Sequence, residues 1–554
     1  MVHRVAVIGA GPSGLSSVKA CLDEGMLPTC FESSDDLGGL WRFKEVSEPN
    51  RASIYRSLTI NTSKEMICFS DFPIPADYPN YMHHSKILRY LKMYAEHFHL
   101  LQHVRFQTSV KTIRERPDFS RSGQWEVVTE GGGGQEEKHV FDAVICCSGH
   151  YTYPNLPLKD FPGIETFAGR YLHSWDYKGP EDMCGKRVVV IGIGNSGSDI
   201  AVESSRVAQQ VYMSTRRGAW VIRQVSDNGL PVDMKYNTRF VHILFQLLPT
   251  NVMNWLGEKK VNAMYDHTMY ALKPKHRLFS QHPTVNDELP NRILSGTVQV
   301  KPDVRRFLGS RVEFDDGSVA EDVDLVVFAT GYRFSFPFLA SHVVSVSENK
   351  AALYKYVFPP ELERPTLAVV GLVQPLGAVM PIAEMQARWA TRVFKGCIKL
   401  PSLASMLQDV RCKQEAMARR YVTSQRHTIQ VDYVPYMDEL AELVGARPSP
   451  LRLLLTDPRL GLNLMLGPCT PYQYRLRGPG KWPGARQAIL TQWERVARPM
   501  QTRPCDDPKP GRSLMGPLVL AAVCVAAYVN RNKLAAFLQD PTALSDHVKA
   551  AGFF

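Results

Sequence analysis

The chain has 554 residues, 44% hydrophobic and 21% charged, which excludes a disordered or fibrous protein and leaves material for two to four domains at roughly 150 residues each. Its net charge of +11 is spread along the sequence rather than blocked, so it suits anionic cofactors or an anionic membrane face and argues against nucleic acid as a partner. Eleven cysteines form no C-x-x-C and no regular framework, a pattern of reduced thiols facing the cytosol rather than of a disulfide scaffold or a redox dithiol.

Residues 5–8 are a short apolar, β-branched run that suits a buried parallel strand. Gly9, Gly11 and Gly14 follow with G-x-G-x-x-G spacing, then a predicted helix over 13–24 ended by Gly25, then a second strand over 29–31 closing on Glu32. Gly9 allows the tight turn, Gly11 lets backbone N–H groups approach a pyrophosphate, and Gly14 lets helix and strand pack closely. The helix N-terminus adds its partial positive charge, and Glu32 can accept hydrogen bonds from a ribose diol. A glycine triplet alone is weak. With strand, helix, strand and terminal acid around it, the unit reads as a dinucleotide site.

In SSDDLGGLWRF, Gly38 and Gly39 make a flexible turn and Trp41 offers a flat apolar face for a flavin ring or its diphosphate. Residues 51–71 read as polar loop around Asn61. The sequon Asn61-Thr62-Ser63 is read as a chance match, because folded-domain sequence begins at about residue 4 with no leader before it. Helix over 90–97, strands over 104–114 and 124–129, and a turn at 131–134 follow. FDAVICCSG at 141–149 is a buried strand ending in a small-residue turn, and its adjacent Cys146 and Cys147 make a poor redox pair.

A second unit repeats the first. A strand over 186–191 runs into Gly192, Gly194 and Gly197, and a strand over 210–214 ends on Thr215, Arg216 and Arg217. An acid at this position prefers a free 2′-hydroxyl, while arginines accommodate a 2′-phosphate. The first unit therefore suits FAD and the second NADP(H), with Arg223 a rival to Arg216 and Arg217 for the phosphate and solvated surface charge the bland alternative.

Residues 240–272 are rich in Ile, Leu, Phe, Trp and Met with broken helical periodicity: a lid, a surface that dips into lipid, or ordinary core helix. DLVVFATGY at 324–332 reads as a second return strand. Residues 367–381 read as strand, turn and helix start, from which Gln374 can reach the flavin. Helices are expected over 380–395, 403–420 and 437–444. The uncharged run LMGPLVLAAVCVAAYV at 514–529 is flanked by Arg512, Arg531 and Lys533. It falls short of the ~20 residues of a comfortable spanning helix. Its basic flanks favour a short membrane anchor over a buried helix.

Between the two units, FAGRYLHSWDY at 167–177 matches F-x-G-x-x-x-H-x-x-x-(F/Y), with Phe167, Gly169, His173 and Tyr177 at the fixed positions. With GAGPSG, FESSDDLGGLWRF, INTSKEM, GIGNSGSDIAVE, STRRGAW and FATGY in order, the chain resembles the vertebrate microsomal flavin-containing monooxygenases over about residues 2–500 and the apolar C-terminus. Within that family, PKHRLFSQHPTVNDELPNRI is most similar to the form-five branch, associated with Baeyer–Villiger oxidation of ketones. Most other forms carry an acid where this chain has His282, a residue that is otherwise an ordinary surface histidine.

The resemblance implies that NADPH reduces FAD, that reduced flavin captures O₂ as a C4a-(hydro)peroxyflavin, and that small lipophilic ketones, amines or sulfides are oxygenated. No catalytic triad or metal site is expected. It places Gly9, Ala10, Gly11, Pro12, Ser13, Gly14, Glu32, Leu40 and Trp41 on FAD. Ile60, Asn61 and Thr62 lie near the flavin and nicotinamide, where the Asn61 amide would hydrogen-bond the reacting oxygen, and His282 is a second catalytic candidate. It places Asn195, Ser196, Gly197, Ser198, Thr215, Arg216 and Arg223 on NADPH. His173 is read as a linker between nucleotide domains rather than a proton donor.

The expected architecture is α/β, with two Rossmann-like dinucleotide-binding domains. An FAD domain (1–150 and 331–445) is interrupted by an NADP domain (151–330) that carries a helical insertion at about 218–295. A C-terminal region (446–512), a membrane-associating helix (513–532) and an extension (533–554) without assigned role follow. The resemblance also implies the endoplasmic reticulum membrane, with catalytic domains facing the cytosol. The oligomeric state stays open, a homo-oligomer included. The rival readings are a flavin disulfide reductase, disfavoured by the missing C-x-x-C, an NADPH oxidase releasing hydrogen peroxide, and a nucleotide sensor without turnover.

Overall fold

The computed structural model describes residues 2–422 and 428–504. The expected anchor at 513–532 and the extension at 533–554 lie outside them. Among the described residues, no helix is long and apolar enough to cross a membrane.

Two five-stranded parallel sheets organise the α/β fold. The first runs in the order Leu367–Val369, Ala143–Cys146, Arg4–Ile8, Leu27–Phe31, Val104–Arg105. The second runs Val298–Lys301, Gln210–Ser214, Arg187–Ile191, Leu325–Phe328, Arg170–His173. The chain therefore leaves the first sheet after Cys146, builds the whole second sheet, and returns to the first at Leu367. In each sheet the strand before the glycine turn is central and sealed on both faces: Val5, Ala6 and Val7, and Val188, Val189 and Val190, are all fully buried. Covered parallel strands favour such continuous apolar runs.

Helix Pro12–Asp23 follows the first turn and helix Asn195–Ser204 the second. Helix Val379–Phe394 packs against Pro12–Asp23 and is buried along almost its whole length. Antiparallel meanders, Thr108–Glu115 with Trp125–Gly131 and Glu136–Phe141, and Val304–Leu308 with Arg311–Phe314 and Val319–Ala320, flank the two sheets. The apolar stretch after 238 forms helices Arg239–Leu247 and Thr250–Asn262, which leave Leu247, Trp255 and Leu256 exposed. Helices Pro450–Thr456 and Pro458–Leu466 expose Leu451, Leu455 and Leu462. The segment Pro471–Arg475 is tied to helix Val379–Phe394 through a buried ion pair, Arg475 to Glu384 at 2.6 Å.

Candidate active site

The two glycine turns have the same geometry. Gly9 (φ +101°) and Gly192 (φ +110°) occupy a backbone region closed to most side chains. A Cβ on Gly14 would lie 1.7 Å from the Gly9 carbonyl oxygen, and one on Gly197 would lie 2.0 Å from that of Gly192. Each helix thus starts directly against its own turn. Neither Gly11 nor Gly194, the residues at the helix N-caps, is replaced by a capping side chain. Each first turn therefore keeps backbone N–H groups for a ligand, and that cradle fits a dinucleotide diphosphate.

Both turns open onto one cleft of about 2380 Å³, well beyond the ~300–1,000 Å³ of a single small-molecule pocket. Its wall includes Gly9, Gly11, Pro12, Ser13, Glu32, Leu40 and Trp41 from the first unit, and Asn195, Ser196, Gly197, Thr215, Arg216 and Arg223 from the second. Ile60, Asn61, Thr62, His282 and Gln374 also face it. Ala10, Gly14 and Ser198 lie behind the wall and support it. Ala10 is fully buried and its N–H donates to Glu32 Oε2 at 2.8 Å, while Ser198 Oγ donates to the Asn195 carbonyl at 2.8 Å.

Glu32 is 4% exposed. Its Oε1 accepts from Ser34 N–H at 2.8 Å and from Arg51 at 3.2 Å, which fixes the carboxylate at the end of its strand. The Gly38-Gly39 turn meets the first glycine loop: Gly38 N–H donates to the Ala10 carbonyl at 3.0 Å, and a Cβ on Gly11 would sit 3.6 Å from Gly39 Cα. In the second unit Arg223 pairs with Asp287 at 3.3 Å, whereas Arg216 stands exposed at the strand end beside Thr215. Asn195 Oδ1 accepts from Val285 N–H at 2.9 Å, Gln430 donates to Gln374 Oε1 at 2.8 Å, and His282 Nδ1 lies 3.0 Å from the Pro283 carbonyl.

The segment after the strand Arg170–His173 stitches the two sheets. His173 Nε2 faces the Gly331 carbonyl at 3.1 Å and its Nδ1 accepts from Trp175 N–H at 3.0 Å. Burial pulls its pKa down to about 4, so the ring is neutral near pH 7. Trp175 Nε1 donates to the Arg51 carbonyl at 2.7 Å, and Lys178 Nζ donates to Ser53 Oγ at 2.6 Å. Cys147 is buried and its thiol pushed up to about 12 by that burial, so it stays protonated.

Sequence reasoning missed two carboxyls on the cleft wall. Asp199 accepts from Tyr55 Oη at 2.6 Å and Asn286 Nδ2 at 2.7 Å, and burial lifts its pKa to about 6. Asp233 accepts from Ser63 N–H at 2.7 Å and Ser63 Oγ at 2.9 Å, and burial again lifts it to about 6. Both join residues far apart in the chain, for which spacing gives no signal. An acid directly after the second glycine turn was the available hint for Asp199.

A cleft walled by two dinucleotide-type turns, one ending on a carboxylate and one on a guanidinium, defines a flavoenzyme that pairs a flavin with a nicotinamide. The Flavin-binding monooxygenase-like family model matches residues 2–531. Flavin-containing monooxygenase 5 of Homo sapiens is 57% identical over 500 residues, 90% of this chain and 93% of that protein. Dimethylaniline monooxygenase [N-oxide-forming] 2 of Cavia porcellus is 52% identical over 530 residues, 95% and 99% of the two chains. Among solved structures, S-allyl-L-cysteine S-oxygenase from Allium sativum is similar at TM-score 0.62 and 25% identity, covering 90% of this chain and 99% of its own. A cyclohexanone monooxygenase shares the fold at TM-score 0.57 and 18% identity, covering 80% and 98%. The chain belongs to the flavin-binding monooxygenase family. It is an FAD-containing, NADPH-dependent monooxygenase.

Proposed function

We propose that the chain oxygenates small lipophilic compounds, by Baeyer–Villiger oxidation of ketones, by N- and S-oxygenation, or by both, at the cytosolic face of the endoplasmic reticulum. The observation that carries this reading is the opening of both glycine turns onto one cleft, whose wall also includes Val241, Phe245, Val261, Met264, Leu278 and Phe279. FAD would take the first turn, with Glu32 holding its ribose, in a domain of residues 1–150 and 331–445. NADPH would take the second turn in residues 151–330, with Thr215 and Arg216 holding its 2′-phosphate, while Arg223, also on the wall, pairs with Asp287.

FAD, when bound, supplies hydride acceptance and oxygen activation. The chain's own residues orient and seal. Asn61 lines the cleft, where its amide would hydrogen-bond the reacting oxygen, Gln374 would border the flavin, and the apolar residues of the wall would take the lipophilic body of the substrate and exclude water. His282 lines the same cleft and is a second catalytic candidate. The N-oxide-forming name of one relative and the S-oxygenase title of another support heteroatom oxidation. The resemblance of PKHRLFSQHPTVNDELPNRI to the form-five branch supports ketones.

Product analysis with NADPH and either a sulfide or an aliphatic ketone tests the reading. About one sulfoxide or ester per NADPH is expected. NADPH oxidised with equimolar peroxide and no oxygenated product would instead establish an oxidase. The exposed Leu247, Trp255, Leu451 and Leu455 support membrane association. Full-length protein that fails to float with lipid vesicles would refute it.

A further inference from the structure

We propose that Asp233, carried by the helical insertion, is a positioning residue that holds Asn61 in the cleft. Its Oδ2 takes both donors of Ser63, the backbone N–H at 2.7 Å and the hydroxyl at 2.9 Å, while its Oδ1 accepts from Met234 N–H at 2.9 Å. Bonds to an ionised acceptor are roughly twice as strong as neutral ones. Ser63 itself is fully buried, two residues after Asn61.

The loop has fixed points on its other side as well. Ile60 N–H donates to the Met82 carbonyl at 2.9 Å and Lys64 N–H to the Asn80 carbonyl at 2.9 Å. Those contacts pin the ends of 60–64. Asp233 pins the residue next to its apex from 170 positions away. A second tie joins segment 80–82 to the insertion, because Tyr81 Oη donates to the Gln224 carbonyl at 2.8 Å. The backing segment 80–82 and the insertion thus grip the loop from two sides. Asp233 and Asn61 face the same cleft as the insertion's Val241 and Phe245. The wall that receives substrate and the loop that presents the amide are consequently one mechanical unit.

The inference rests on the reading of Asn61 as the amide beside the flavin, and two independent readouts separate the two claims. Full-length holoenzyme carrying Asp233→Ala, Asp233→Asn or Asn61→Ala is compared with the parent. The first readout is backbone amide exchange at residues 58–66. The second is peroxide released per NADPH with a sulfide present. Asp233→Ala is expected to speed exchange at Ser63 about tenfold, the loss of one charge-assisted bond. It is expected to raise peroxide per NADPH several-fold, toward the Asn61→Ala value. Asp233→Asn keeps an acceptor oxygen without the charge and should restore part of both. Parental exchange at Ser63 in Asp233→Ala overturns the proposal whatever Asn61 does. Fast exchange with a parental peroxide ratio, where Asn61→Ala itself uncouples, also overturns it. Asn61→Ala that leaves the ratio unchanged sinks the Asn61 reading, and exchange alone then decides Asp233. If Asp233→Ala does not fold, Asp233→Ser takes its place, its shorter side chain out of reach of the Ser63 N–H: faster exchange at Ser63 with a raised peroxide ratio supports the grip, and parental exchange refutes it.

Discussion

Asp199 shows how a single buried carboxyl can tie two nucleotide sites together and leave a signature in stability. Tyr55 and Asn286 donate to it, and Glu203 and Glu288 add like charge nearby. Burial lifts its pKa from 3.8 to about 6, so the folded protein holds a proton that the unfolded chain releases. Its stabilising contribution is complete below the unfolded value and is lost as pH rises through about 6. Asp199→Asn keeps partners for Tyr55 and Asn286 without the charge. The variant is therefore expected to gain on the parent by on the order of 1 kcal/mol between pH 5 and pH 7.5, read as a difference in thermal midpoints. A difference independent of pH would contradict the assignment. Neither this carboxyl's partners nor those of Asp233 could be read from the sequence. Tyr55 and Asp199 are 144 positions apart and Ser63 and Asp233 are 170 apart, and such pairings are set by tertiary packing rather than by local period.

The repeated strand–turn–helix element was legible because its constraints are local. A β-branched run, three glycines at fixed spacing and a terminal acid or arginine sit within one short unit, and each responds to a steric or electrostatic demand inside it. The predicted ends were off by one or two residues: the first strand is Arg4–Ile8 and the helix is Pro12–Asp23. The loop around Asn61 contains a short helix, Lys64–Ile67, that the sequence did not announce, since four residues cannot display a helical period. The duplicated element also yields a selective prediction. Gly14→Ala drives a methyl to within 1.7 Å of the Gly9 carbonyl, and Gly197→Ala does the same at 2.0 Å in the second turn. Neither turn can yield without losing its cradle. The first variant is expected to purify largely without FAD. The second is expected to keep FAD but to raise the Kd for NADP⁺ by at least about tenfold, a cost of ~1.4 kcal/mol. Equal loss of both ligands in either variant would show that the turns are not separate sites.

At the scale of the molecule, the second sheet is threaded between two strands of the first, and the segment around His173 and Trp175 ties them where they meet. That arrangement explains a fingerprint that sits in neither glycine turn. Its histidine is neutral and bonded on both nitrogens, and its tryptophan holds the backbone of Arg51, whose side chain braces Glu32. The fingerprint therefore helps to set the geometry of the shared cleft. The central claim is that this cleft brings the nicotinamide to the flavin. Anaerobic mixing of purified holoenzyme with NADPH measures it most directly. The flavin's blue absorbance should bleach in a single turnover, more slowly with NADPH deuterated at the transferred position. A flavin that stays oxidised under excess NADPH would contradict the account.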